Sequence, residues 1–225
     1  MAWYAKPSGG YPERSNEWHE NMLEIYGMLN SSGWTLEAVC GMCGGCIMES
    51  GMNPWRWQED HVNTNAGYGL VQFTPASGYI NLSGYPYHAP NMSTTEVSFG
   101  ALATDGICQV NVVDNDTLQK WTGVTWRNYW DRSDYPDAYA VAQDIRSRYS
   151  IPMSFSTYKS LTDLDDAVWM FMSGYLGPRR GDRDYARYML AGRDAYRFLS
   201  GQEPPTPTPT IRKLPLFFYL KRKPF

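Results

Sequence analysis

Histidine, cysteine, net charge and long apolar runs are all scarce in this chain. There are three His in 225 residues. His19 falls on the polar side of an expected helix with nothing nearby to pair with it, so histidine-centred acid–base chemistry has little support. There are four Cys: Cys40, Cys43 and Cys46 are spaced C-x2-C-x2-C, and Cys108 stands apart. Such spacing admits an iron–sulfur or zinc site. On one helix, however, Cys40 and Cys46 lie on well-separated faces, and no adjacent His completes a ligand set. The favoured reading is small apolar residues inside a helix, with no metal or other cofactor. Disulfides between helical neighbours are strained and are not expected. A net charge of −3 makes no case for nucleic acid. No apolar run reaches the ~18 residues that a transmembrane helix needs. The start, MAWYAKPSGG, lacks the basic and apolar regions of a secretory signal. The expectation is synthesis in a cytosol without a signal peptide.

What the chain does have is apolar and aromatic residues. The hydrophobic fraction is 43%, enough for one core. Nine Trp and seventeen Tyr supply flat faces that suit sugar rings, although such residues also fill cores. One stretch organises the rest, Thr35 to Pro75. From Leu36 to Met48 only Glu37 is polar. Leu36, Val39, Cys40, Cys43 and Ile47 follow the i, i+3, i+4 rule, and Ala38, Met42 and Gly45 fill the opposite side. A helix apolar nearly all round is a buried helix. Thr35 is its expected N-cap, and Glu37 suits the first turn. Gly41, Gly44 and Gly45 cost helix propensity, about 1 kcal/mol each relative to Ala. They make sense if neighbouring elements approach very closely. Gly51 and Asn53-Pro54 end the helix.

Glu49 therefore falls at the C-terminal end of a buried helix. Desolvation and the negative end of the helix dipole both favour the protonated carboxyl there. A protonated carboxyl beside a cleft can donate to a leaving oxygen, the acid role in glycoside hydrolysis. Position alone would favour the plainer reading, in which Glu49 simply ends a helix and points at water.

The company that Glu49 keeps decides between these. The run IMESGMNP followed by GYGLVQFTP resembles the phage tail lysozyme family, with a looser likeness to goose-type lysozymes and lytic transglycosylases. The matching residues are Glu49, Ser50, Asn53, Pro54, Gly67, Tyr68, Gly69, Leu70, Gln72 and Phe73. The later VWMFMSGYLGPRRGDRDYARYMLAGRDAYRFL is similar to that family's closing segment, and the likeness extends over residues 10–200. The resemblance implies a lysozyme-like fold, α+β and mostly α, in which a buried central helix lies beside a small β-region. It implies that Glu49 is the catalytic acid of a muramidase cleaving the β-1,4 bond between N-acetylmuramic acid and N-acetylglucosamine. It also suggests a virion-borne enzyme, on the phage tail, that opens the bacterial wall during infection. The alternatives are a lytic transglycosylase, or a non-catalytic tail or wall-binding module.

The loop Trp55 to Asn65 leaves Glu49 and returns to Gly67, so it is expected to border the cleft. Trp55, Trp57, Tyr68 and Gln72 are the expected glycan contacts. Glu59 or Asp60 is the candidate second carboxylate, with Asp60 taken as the catalytic partner of Glu49. A retaining pair sits about 5 Å apart and an inverting pair about 6.5–9.5 Å.

Along the rest of the chain, residues 1–12 are an expected extended lead-in to a domain spanning 13–200. Helices are expected over 13–29, 105–121, 137–149, 164–175 and 184–199. A surface loop or insertion is expected over 77–104. Trp121, Trp126, Trp130 and Tyr135 could stack on sugars, but at least half of them are expected to pack the core. Arg179, Arg180, Arg183 and Arg187 are expected to balance Asp182, Asp184 and Asp194 rather than bind wall polymer. Residues 201–210, GQEPPTPTPT, form a stiff Pro/Thr linker. Residues 211–225 carry five basic residues and no acid, and suit attachment to a partner such as other tail proteins.

Overall fold

The structure is a computed structural model that describes residues 3–5, 16–84, 95–97, 100–123, 136–177 and 185–205, with backbone only at 5, 16–18, 95–97, 136–140 and 185. Among these residues the chain is mostly helical. Helix α1 is Asn16–Ser31, α2 Leu36–Ser50, α3 Ala76–Ser83 and α4 Gly100–Asp114. Helix α5 is Pro136–Arg148 and α6 is Phe155–Lys159. Helix α7, Leu164–Phe171, runs on into one π-helical turn, Met172–Leu176, and α8 is Tyr185–Ser200. Strands β1, Trp3–Ala5, and β2, Thr95–Val97, pair antiparallel with Trp3 opposite Val97.

Helix α2 is the centre. Ala38 to Ile47 are all buried, and the helix packs chiefly on α7 and α8, then on α1. Thr35 caps it, its Oγ1 accepting from Ala38 N at 3.2 Å. The Tyr158 hydroxyl of α6 donates to Ala38 O at 2.7 Å, fixing the same end from outside. At the other end Gly51 adopts the left-handed conformation, φ 62°, and its N–H donates to Ile47 O at 3.1 Å. The three glycines do what the sequence suggested. A Cβ on Gly41 would lie 2.5 Å from the Ala167 carbonyl oxygen in α7, and one on Gly44 would lie 2.8 Å from Gly192 N in α8. Backbone lies against backbone on two sides of α2.

Helices α1, α5, α7 and α8 lie close to the expected ranges. The expectations differ from the structure in four other places. The 77–104 stretch is not simply a loop: α3 occupies Ala76–Ser83, where Ala76 and Tyr79 turn into the core. Helix α4 starts at Gly100 and stops at Asp114, short of 121, because Asp116 turns back with φ 46° and its carboxylate accepts from Lys120 N and Trp121 N. The expected small β-region reduces to two isolated bridges, Trp57 with Tyr68 and Tyr68 with Phe73. Lastly, β1 is more than a lead-in. Trp3 is fully buried against Gly106, and Asn21 of α1 ties Tyr4 by two hydrogen bonds while donating a third to Met52 O. Trp126, Trp130, Tyr135, Arg179, Arg180, Asp182, Arg183, Asp184 and the 206–225 segment lie outside the described residues. Trp121 packs on Phe155 and Tyr158, its indole donating to Met153 O at 2.7 Å, so it serves the core.

Gly44→Ala tests the close packing. Helix propensity alone would favour Ala by about 1 kcal/mol. A methyl in contact with the α8 backbone must move that helix, at a cost of about 1–3 kcal/mol. Thermal denaturation should show a lower Tm for G44A, and a higher one would contradict the account.

Candidate active site

Glu49 is the penultimate residue of α2, half-buried, and it lines a cleft of about 530 Å³. One side of the cleft comes from α2 and the α7–α8 region, through Met48, Tyr175, Leu176 and Tyr188. The other side is the 56–74 segment with Lys120, and includes Arg56, Glu59, Gln72 and Phe73. The Tyr188 hydroxyl of α8 donates to Glu49 Oε1 at 2.5 Å. Tyr188 is itself buried, so this bond holds the carboxyl in one place. A hydrogen bond of this kind contributes about 0.5–1.5 kcal/mol. The π-helical turn before Gly177 brings Tyr175 and Leu176 to the cleft. Such turns recur at functional sites.

The opposing segment is built to be rigid. Gln58 and Gly67 pair in both directions: Gln58 N donates to Gly67 O, and Gly67 N donates to Gln58 Oε1, both at 2.9 Å. Gly69, φ 83°, lets the chain turn so that Phe73 N donates to Tyr68 O at 2.8 Å. Ser50, next to Glu49, has its Oγ 2.9 Å from Leu70 O and joins this turn to α2. From below, buried Gln109 of α4 accepts from Leu70 N at 2.8 Å and donates to Pro54 O. Asp105, one helical turn before Gln109, accepts from the hydroxyls of Tyr68, at 2.7 Å, and Tyr79. Burial pushes the Asp105 carboxyl up to about 6, against the lowering effect of these donors.

The expected site residues are distributed unevenly around this cleft. Glu49 and Gln72 line it. Gln72 is held with φ 49°, and its Nε2 donates to Arg56 O and Gly69 O, so both amide protons are spent on backbone and only the carbonyl remains for a ligand. Trp55, Trp57 and Tyr68 do not fit the expected role of glycan contacts. They are 0%, 1% and 0% exposed. The reason is packing: Trp57 rests on Tyr68 with ring centroids 4.7 Å apart, and the Trp55 indole donates to Leu102 O. Asp60 also departs from its expected place. It pairs with Arg56 at 3.4 Å and does not line the cleft, whereas Glu59 does. Left-handed backbone at both residues, φ 58° and 56°, swings the two side chains apart.

Sequence reasoning missed Tyr188, Lys120 and the Asp105–Gln109 pair. Tyr188 and Lys120 carry no local signal. Asp105 and Gln109 do: two polar residues four apart on an otherwise apolar helix face imply a buried network. Among the described residues no group of His, Cys, Asp or Glu is placed to hold a metal ion. Cys40, Cys43 and Cys46 are buried free thiols, and burial pushes the Cys43 thiol up to about 12.

A buried helix ending in a carboxyl on a cleft wall, inside a helical shell, is the arrangement of a lysozyme-like domain. The phage tail lysozyme family profile matches residues 20–199, and the chain belongs to that family. A 62-residue stretch is 48% identical to Morphogenesis protein 1 of Bacillus phage B103, covering 27% of this chain and 17% of that protein. The chain thus matches less than a fifth of that relative's length. No described helix is long and apolar enough to cross a membrane.

The Asp105 network gives a pH prediction. Unfolded, this carboxyl releases its proton near 3.8; folded, it keeps it to about 6. The folded state therefore binds the extra proton between those values, and stability falls as pH rises through them. In Asp105→Asn this slope is gone. Unfolding free energies of wild type and D105N, compared at pH 3 and pH 7, should draw closer by about 3 kcal/mol at the higher pH, on top of any constant loss. A pH-independent difference would contradict the assignment.

Proposed function

We propose that the protein is a peptidoglycan-degrading glycosidase in which Glu49 protonates the oxygen between N-acetylmuramic acid and N-acetylglucosamine. The observation that carries this reading is the Glu49 carboxyl itself, set at the end of a buried helix, gripped by Tyr188, on the wall of a cleft of about 530 Å³. Family membership supports the same chemistry. The second carboxylate is Glu59, exposed at the rim of the same cleft, in place of Asp60. An exposed carboxylate suits a base that activates water. The groove has room for a glycan, and the aromatic side chains that border it, Phe73, Tyr175 and Tyr188, are largely buried, so polar groups contribute most of the surface a sugar would meet.

We further propose that the enzyme travels on the virion and opens the wall at infection, with the basic 211–225 segment as its tether to other tail proteins. The likeness to a phage protein named for morphogenesis supports this. Release of soluble fragments from purified walls should fall roughly 100-fold or more in Glu49→Gln. Glu59→Gln should lose more activity than Asp60→Asn. Mass spectrometry of the products should show reducing muramic ends. Equal release by E49Q would remove Glu49 from the mechanism, anhydro ends would make the enzyme a lytic transglycosylase, and no release by wild type would favour a binding module.

A further inference from the structure

Lys120 lines the cleft together with Glu49 and Glu59, but comes from a different part of the chain, the turn after α4. Several other cations described here pair with an acid. Lys159 pairs with Asp114, Arg148 with Asp144 and Asp166, Arg193 with Asp165, and Arg56 with Asp60. Lys120 differs. Its ammonium donates to the carbonyl oxygen of Thr74, and among the described residues no carboxylate lies within ion-pair distance of it. An ammonium has three donors, so two remain for the cleft. The side chain is half-buried, and withdrawal from water holds its pKa below the ordinary lysine value. A cation partly withdrawn from water and short of an anion favours an anionic ligand.

We infer that Lys120 is a carboxylate-binding subsite that recognises the acid carried by muramic residues of the glycan. This rests on the glycosidase reading. The two alternating sugars share their ring and N-acetyl group, so the cleft's other polar groups distinguish them poorly. They differ at one substituent: the muramic residue bears a lactyl group, which ends in a free carboxylate or is joined to a stem peptide with carboxylates of its own. Glu59, as the base, repels such a group, whereas Lys120 attracts it. Seating one acid on Lys120 sets the register of the chain, and the register decides which glycosidic oxygen meets Glu49. A compact ammonium on a flexible stem accepts either carboxylate without demanding a fixed geometry.

The test uses the full chain carrying Glu49→Gln, so that bound glycan survives, with and without Lys120→Met or Lys120→Arg. Calorimetric titration is carried out with three probes: chitotetraose, the peptide-free tetrasaccharide of alternating N-acetylglucosamine and N-acetylmuramic acid, and the same tetrasaccharide bearing stem peptides. K120M should weaken binding of a muramic probe by about tenfold or more while leaving chitotetraose unchanged, and K120R should restore most of the loss. Loss only on the peptide-free probe identifies the lactyl carboxylate, which the stem peptide converts to an amide; loss only on the peptide-bearing one identifies the stem peptide; loss on both shows that Lys120 takes either carboxylate. An equal loss on all three probes, or no loss on any, overturns the inference and leaves the glycosidase reading standing. Failure of the Glu49→Gln protein to bind any of the three overturns both.

Discussion

Backbone-to-backbone contact around α2 is the constraint on which the structure depends. Gly41 meets the α7 backbone and Gly44 meets α8, closer than any side chain would permit. A helix held this tightly can neither slide nor rotate without moving two others. Its end, and the carboxyl of Glu49 with it, is fixed relative to α8, which supplies the Tyr188 hydroxyl. The glycines that weaken the helix locally are thus the means by which its terminus is placed.

The far wall is positioned by polar groups instead. Ser50, Gln109 and Asp105 are all buried, and each is spent on the 54–70 segment or its tyrosine. Leaving any of them unsatisfied would cost about 1–3 kcal/mol, so the segment has one low-energy arrangement. Apolar packing sets one side of the cleft, and a satisfied hydrogen-bond network sets the other. The catalytic candidate lies where the two meet.

Helix α2 was legible in the sequence because its signals are local: a Thr cap, an all-apolar run, a glycine stop. Glu49 followed from its place at the end of that run and from its neighbours in the motif. The cleft's far wall was harder to read. Trp55, Trp57 and Tyr68 look like sugar platforms in sequence, but an aromatic ring fits a core equally well, and only three-dimensional packing settles the matter. Asp60 and Glu59 are adjacent, and their separation depends on two left-handed residues that nothing in the side-chain pattern announces. Tyr188 lies 139 residues from Glu49, beyond the reach of any local rule.

The central claim is that a glycan lies across Glu49 with its bridging oxygen at that carboxyl. A crystal structure of the Glu49→Gln protein with a bound wall tetrasaccharide tests it most directly. The account predicts a glycosidic oxygen within about 3 Å of the side chain at position 49, with the sugars running along the cleft towards Glu59. A tetrasaccharide seated elsewhere, or one whose glycosidic oxygens all lie out of reach of position 49, would contradict it.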